Sequence, residues 1–419
     1  MTEYVNSVIH LDKVRLSPAY GSVMPLTAGR LMWVWGEGRG RPEDRLQATY
    51  SHDQGETWDD TVPLKTADGS TLPGLMAVHL VRMASGALGL IQEVAPGQQF
   101  FHVSRDEGET WSSGAPINPP GTFANAAHDV SAVLSDGRIL VPVYSHIAST
   151  SLLAKPKRLR RFSEDYFGAN IACHLRYSYV YYSDDEGETW GRSRNETFVM
   201  LENGASGSYS MEEPAVVELK DGRVLMIGRT YLGQHFRSFS NDRGETWTQP
   251  EPTGLTLVPS PCNVKRIPST GDLLVIWNQT STWEYMIGLY RHRLTCAVSK
   301  DEGLTWEHHR NLESLDDTAY IEPGDIEVGL DGGYRQPIDR QRYHRAPAPL
   351  RYNEPTICFI DDKVVITHSM CVWGDKSVIT ETYGMDFDKL MEEFGLAPHE
   401  RGNKVRVMST DWFYEGQPQ

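Results

Sequence analysis

Carboxylates, imidazoles and guanidiniums stand at recurrent places in this sequence, each beside a short apolar run. Glu213 precedes PAVVELKDGRVLMIG, which is followed by Arg229, and Glu354 precedes PTICFIDDKVVIT, which is followed by His368. His128 and Asp129 lead into a run followed by His146, while Ala77 and His79 open one that ends near Glu93. Tyr20 and Glu37 flank a further run, as do Ser260 with Asn263 and Asn278. A carboxylate or imidazole on an otherwise apolar strand needs a partner or a task, because burying it unpaired is costly. Paired carboxylates can divide acid and base work between them. The histidines His79, His128 and His146, with Tyr20, can serve as base and acid in proton transfer. His128, Asp129 and His146 form the alternative of a metal set, but their spacing carries no recognised metal motif and a hydrogen-bonded structural role is the usual one for a histidine. No cofactor is called for.

A repeated hairpin must position these residues. Six pairs of Val-, Ile- and Leu-rich strands fold about turns near Gly29, Gly86, Gly137, Gly222, Gly271 and Asp362, as the inner strands of six propeller blades should. A second repeat, S-x-D-x-G-x-T-W, begins at Ser51, Ser104, Ser183, Ser240 and Ser299, in steps of 53, 79, 57 and 59 residues. That period suits one four-stranded blade plus variable loops. The repeat has hairpin chemistry, with Asp bonding the turn's own amides and Gly supplying a positive φ, so its role is structural. The sixth blade lacks it, and the late strand NKVRVMSTDWFY is expected to close the ring with the N-terminal SVIHLDKVRL. The expectation is an all-β, six-bladed β-propeller of four-stranded antiparallel blades, one domain over residues 1–419 with insertions near 149–176 and 307–352. In such a ring the strand starts and ends named above converge on one mouth of the central channel.

With 40 Lys+Arg against 56 Asp+Glu, the net charge of −16 argues against a nucleic-acid partner, because nothing would offset phosphate repulsion. The five cysteines are odd in number and widely spread with no CxxC pair, so neither a disulfide framework nor a thiolate zinc site is suggested. No apolar run reaches the length of a membrane span, and the start MTEYVNSVIHLDKV is unlike a signal peptide, so a soluble, cytoplasmic protein is expected. The basic run at 155–161 reads as a solvated surface or a contact in a homo-oligomer, the stretch 334–352 as a binding loop, and FDKLMEEFG at 387–395 as a peripheral helix.

The five S-x-D-x-G-x-T-W turns on six blades resemble the sialidase superfamily, the neuraminidase-like BNR or Asp-box proteins, over nearly the whole chain. The resemblance implies a carbohydrate partner, and its site positions map unevenly. Glu213 and Arg229 match the family's fourth-blade Glu and carboxylate-holding Arg; Arg291, in RHRLTCAVSKDEG, matches a further clamp arginine. EGRGRPED resembles the first-blade pattern and offers Arg39 and the acid/base Asp44. Other positions depart: Tyr20 stands near the place of the family's first clamp arginine, and His368 replaces the carboxylate that supports it. Glu354 takes the place of the nucleophilic Tyr, with Tyr352 two residues away.

Sialic acid bears an anomeric carboxylate that would repel a carboxylate nucleophile, so Glu354 suits a different sugar, paired with Glu213 or Asp44 as in ordinary two-carboxylate glycosidases. Arg229, Arg291 and Arg39 would then hold an acidic sugar, with Tyr20, His79, His128, Asp129, His146 and Asn278 lining the mouth. The leading expectation is an exo-acting glycoside hydrolase. A uronate-cleaving lyase, a true sialidase using Tyr352, and a non-catalytic glycan-binding propeller stand beside it.

Overall fold

The computed structural model describes residues 5–9, 21–36, 44–74, 77–95, 97–146, 175–201, 207–281, 291–314, 350–372 and 402–415. They form six four-stranded antiparallel sheets and one extra hairpin, Val199–Leu201 with Gly207–Tyr209. Blades 1 to 5 follow the chain, with first strands Gly21–Pro25, Val78–Arg82, Ala132–Val133, Glu212–Glu218 and Asn263–Arg266. In blade 6 the strands Leu350–Ile360, Lys363–Val372 and Gly402–Ser409 are joined by Val5–Ile9 on the outside, in register from Val5↔Val407 to Ile9↔Asn403. The expected closure of the ring by the two ends of the chain is therefore what the structure has.

Each expected hairpin forms the first two strands of a blade, and second strands such as Ile139–His146, Val224–Arg229 and Leu273–Trp277 are buried at every residue. Both faces pack against neighbouring blades, which is why these strands read as continuous apolar runs instead of alternating ones. Glu307–Ser314 is the fourth strand of blade 5 and Leu350 opens blade 6, so the stretch expected as an insertion over 307–352 begins and ends inside blades. Tyr20, Glu37, Arg39, most of both insertions and the expected helix at 387–395 lie outside the described residues.

All five S-x-D-x-G-x-T-W turns join third to fourth strands. In every copy the Gly N–H donates to the Ser Oγ and the Thr N–H to the Asp Oδ1, at 2.7–2.9 Å. The residue before each Gly reaches back to the inner hairpin of the preceding blade. Glu107 accepts from Thr27 N at 2.8 Å, Glu186 from Ser85 N at 2.7 Å and Glu302 from Lys220 N at 2.8 Å. Arg243 pairs with Asp136 at 2.8 Å, and Gln54 donates to Asp361 at 3.1 Å. Blade 6 has no such turn, and Tyr414 substitutes for it: its hydroxyl donates to Asp272 at 2.7 Å and lies 2.8 Å from Thr270 Oγ1, on the inner hairpin of blade 5.

Two glycines with similar left-handed φ separate turn strain from blade packing. At Gly187 (φ 92°) an added Cβ would stand 2.2 Å from the Phe101 ring of blade 2, whereas at Gly222 (φ 84°) it would meet nothing within 4 Å. Gly222→Ala should cost about 1 kcal/mol for the left-handed backbone alone, and Gly187→Ala at least ~3 kcal/mol because overpacking is added. Equal losses in urea unfolding would show that the turn does not dock on its neighbour.

Candidate active site

The first strands of blades 4 and 6 begin with the same backbone device. Register slips between Glu212 and Ala215, and again between Asn353 and Thr356, so Glu213 and Glu354 sit on β-bulges, each with φ 49° and each followed by a proline. Proline has no N–H to give to the ladder and is tolerated at a bulge. Ala77 (φ 63°) and Asp129 (φ 55°) repeat the left-handed backbone at the same level of blades 2 and 3. Non-glycine residues held this way cost energy and tend to gather where a side chain must be aimed.

Glu213 and Glu354 are brought together with both expected arginines. Arg229, at the end of its strand, donates from Nη1 to Glu213 at 2.5 Å and from Nη2 to Glu212 at 2.9 Å and to the Tyr231 hydroxyl at 3.0 Å. Arg176 also donates to Glu212. Burial works against ionising Glu212, yet the guanidiniums of Arg229 and Arg176 outweigh it and hold the carboxyl below its ordinary range. Behind them the Tyr144 phenol is pushed well up, by burial and then by the negative Glu213 and Glu212. Across the mouth, Arg291 donates to Asn353 Oδ1 at 2.9 Å and to the Pro259 carbonyl at 3.0 Å, and stands 3.5 Å from Glu354. Burial and the charge of Glu213 push the Glu354 carboxyl up to about 7, against the pull of Arg291 and Arg229.

Among the inner strands Asp129 ties blades to one another. Its carboxylate accepts from Ser22 Oγ at 2.6 Å and from Lys265 Nζ at 2.6 Å, and its carbonyl accepts from Asn263 Nδ2 at 3.0 Å. His79 is wholly buried, its Nδ1 accepting from Val130 N at 3.2 Å and Ser131 N at 3.3 Å, and burial followed by the charge of Lys265 pushes it down to about 3. His128 takes Val78 N at 3.4 Å and is pushed well down by burial and by His79. Both imidazoles are therefore neutral braces between blades 2 and 3, and Asp129 is a tie between blades. Among the described residues no group of three or more His, Cys, Asp and Glu is arranged to hold a metal.

The Asn278 amide donates to backbone, to the Arg293 carbonyl at 2.8 Å and the Tyr352 carbonyl at 3.0 Å. Tyr352 packs its ring into the core between blades 5 and 6 with Leu294 and Ile357, edge-on to His368 at 5.8 Å. His146 is buried with its ring 4.6 Å from Phe123. Asp44 lies nearly buried at the lip of blade 1, its carbonyl accepting from Gly74 N at 3.0 Å. His368 meets a carboxylate after all, with Nε2 3.2 Å from Glu313, which Arg406 and Lys404 also hold.

Glu212, Arg176, Tyr231, Tyr144 and Asn353 were not picked out by sequence reasoning. The paired triplets EEP at 212–214 and NEP at 353–355 were a usable signal for two of them. Nothing in the sequence marked Arg176, which opens a third strand instead of an inner one.

A six-bladed ring with Asp-box turns and carboxylates and arginines at one mouth defines a sialidase-like BNR propeller. The chain belongs to the BNR repeat-like domain family, whose pattern matches residues 29–335. No curated protein sequence matches it. Among solved structures it is similar to a protein of unknown function from Dyadobacter fermentans, with 16% identity, TM-score 0.59 and coverage of 97% of this chain and 98% of the other. It is also similar to a Hadza microbial sialidase, with 15% identity, TM-score 0.56 and 96% and 67% coverage. A third is the Penicillium chrysogenum α-L-arabinanase in complex with arabinobiose, with 13% identity, TM-score 0.54 and 98% coverage of both chains. At these identities the likeness is one of fold.

One more carboxyl at this level gives a test of the local electrostatics. Glu93, at the exit of the second strand of blade 2, accepts from Gly97 N at 2.5 Å, and burial pushes it up to about 7. Its folded-state pKa lies above the unfolded one, so its contribution is intact below the ordinary carboxyl range and is lost as pH rises through 7. Glu93→Gln should thus match the wild type in stability near pH 4 and exceed it by up to about 3 kcal/mol above neutrality. A pH-independent difference in unfolding free energy would contradict the assignment.

Proposed function

We propose that the chain is a glycoside hydrolase that removes a terminal sugar at the channel mouth, with Glu354 as proton donor and Glu213 as its ionised partner. The observation that carries this reading is the pair itself: Glu354, raised to about 7 by burial and by Glu213, beside a Glu213 held by Arg229 at 2.5 Å. A carboxyl raised toward neutrality beside a second carboxyl paired with arginine suits the acid and base of glycosidic cleavage. Glu354 gives its proton to the departing oxygen as the bond to the anomeric carbon breaks. Glu213 faces the developing positive charge on the sugar, attacking it or activating the water that does. This exchanges the nucleophile's part expected of Glu354 for the acid's. The resemblance to sialidases and to an arabinanase supports a glycan as partner. The three guanidiniums of Arg176, Arg229 and Arg291 support an acidic sugar, because with Glu354 protonated they face only two carboxylates, Glu212 and Glu213.

A panel of 4-nitrophenyl glycosides, including pentosides, uronides and a sialoside, would identify a substrate. On it, Glu213→Gln and Glu354→Gln should each lower kcat at least ~100-fold, in keeping with the usual worth of general acid–base groups. The wild-type rate should fall as pH rises through about 7, where Glu354 loses its proton, and that limb should vanish in Glu354→Gln. Full activity in both variants overturns the assignment. Sugar binding without turnover would make the protein a glycan-binding propeller, and a new unsaturated-uronate absorbance would make it a lyase.

A further inference from the structure

The guanidinium best placed to meet substrate is one the family resemblance does not supply. Arg229 has both terminal nitrogens committed to protein acceptors, Nη1 to Glu213 and Nη2 to Glu212 and Tyr231. Arg291 is committed likewise, Nη1 to Asn353 and Nη2 to the Pro259 carbonyl. Arg176 differs. Among the described residues its guanidinium makes one hydrogen bond, from Nη1 to Glu212, and its side chain is 18% exposed against 9% for Arg229 and 13% for Arg291.

Its position is firmly set. Arg176 begins the third strand of blade 3, at the mouth end, and its backbone is tied to blade 4 on both sides: its N–H donates to Ser210 Oγ at 2.9 Å and its carbonyl accepts from Met211 N at 3.2 Å. The guanidinium lies over the Tyr144 ring, 5.9 Å from its centroid, and the wholly buried Glu212 fixes its orientation. A guanidinium with one N–H spent keeps enough of its fork to take a carboxylate through two parallel bonds, and holding it on a buried carboxylate lowers the entropy lost on binding.

We propose that Arg176 receives the carboxylate of an acidic sugar substrate and sets the preference for acidic over neutral sugars, while Arg229 and Arg291 serve mainly to aim Glu213 and Glu354. This rests on the acidic-sugar reading of the site. It is tested by binding, independently of turnover: calorimetric titration of the full-length protein with glucuronate, galacturonate and N-acetylneuraminate, each beside its methyl ester. The wild type should bind at least one acid more tightly than its ester. Arg176→Met should lower affinity for that acid about tenfold or more and leave the ester unchanged, and Arg176→Lys, which keeps charge without the fork, should fall between. An acid-over-ester preference that survives in Arg176→Met or equals the wild type in Arg176→Lys overturns the role of Arg176 while leaving the acidic-sugar reading intact. A wild type with no preference for any acid overturns both. The hydrolase assignment stands or falls separately, with the glutamate variants. Because the readout is a ratio of two ligands on one protein, a general loosening of the fold would not produce it.

Discussion

One buried carboxylate, that of Asp129, is the point on which this ring closes. It sits at the start of blade 3, bonds Ser22 of blade 1 and Lys265 of blade 5, and lies within 3.4 Å of the Ile357 amide of blade 6. Ser22 in turn takes the Leu80 amide of blade 2 at 3.0 Å, and the next residue, Val130, accepts from Val216 of blade 4 at 3.4 Å. All six blades are thus joined within one shell of hydrogen bonds around the axis. A charge this deep is tolerable only because its acceptor positions are filled, and removing one partner would strand the rest. The mouth above inherits its geometry from this tie, since Glu213 and Glu354 lie at the starts of strands it holds.

The base of the ring is secured differently. Each Asp-box turn braces the hairpin of the blade before it, and Tyr414 completes the circuit where blade 6 has no box. Short connections and tight turns belong to that side. The long gaps between described strands, from 147 to 174, 315 to 349 and 373 to 401, all join strand ends at the mouth.

The fold was legible because its signals are local and repeated. The five Asp-boxes and six apolar hairpins report turn chemistry and burial, which depend on a few neighbouring residues. The site was half legible. Glu213, Arg229 and Glu354 could be placed because they stand at fixed offsets from those hairpins, and Arg291 through the family resemblance alone. His79, His128 and Asn278 stand at comparable offsets yet brace the backbone, and Tyr352 turns into the seam between blades. Strand offset fixes a residue's height in the channel but not which way a bulge rotates it, and the bulges at Glu213 and Glu354 arise in the register between the first and second strands of their own blades. Arg176 was invisible because its neighbours Glu212 and Tyr144 come from other parts of the chain.

The left-handed backbone at Glu213 and Glu354 implies a trade between durability and use. A residue without a Cβ would occupy either position at less conformational cost, so the chain would be a sturdier object without its two most chemical side chains. Retaining glutamate there keeps the strain of the left-handed backbone at the mouth, where the two side chains are aimed.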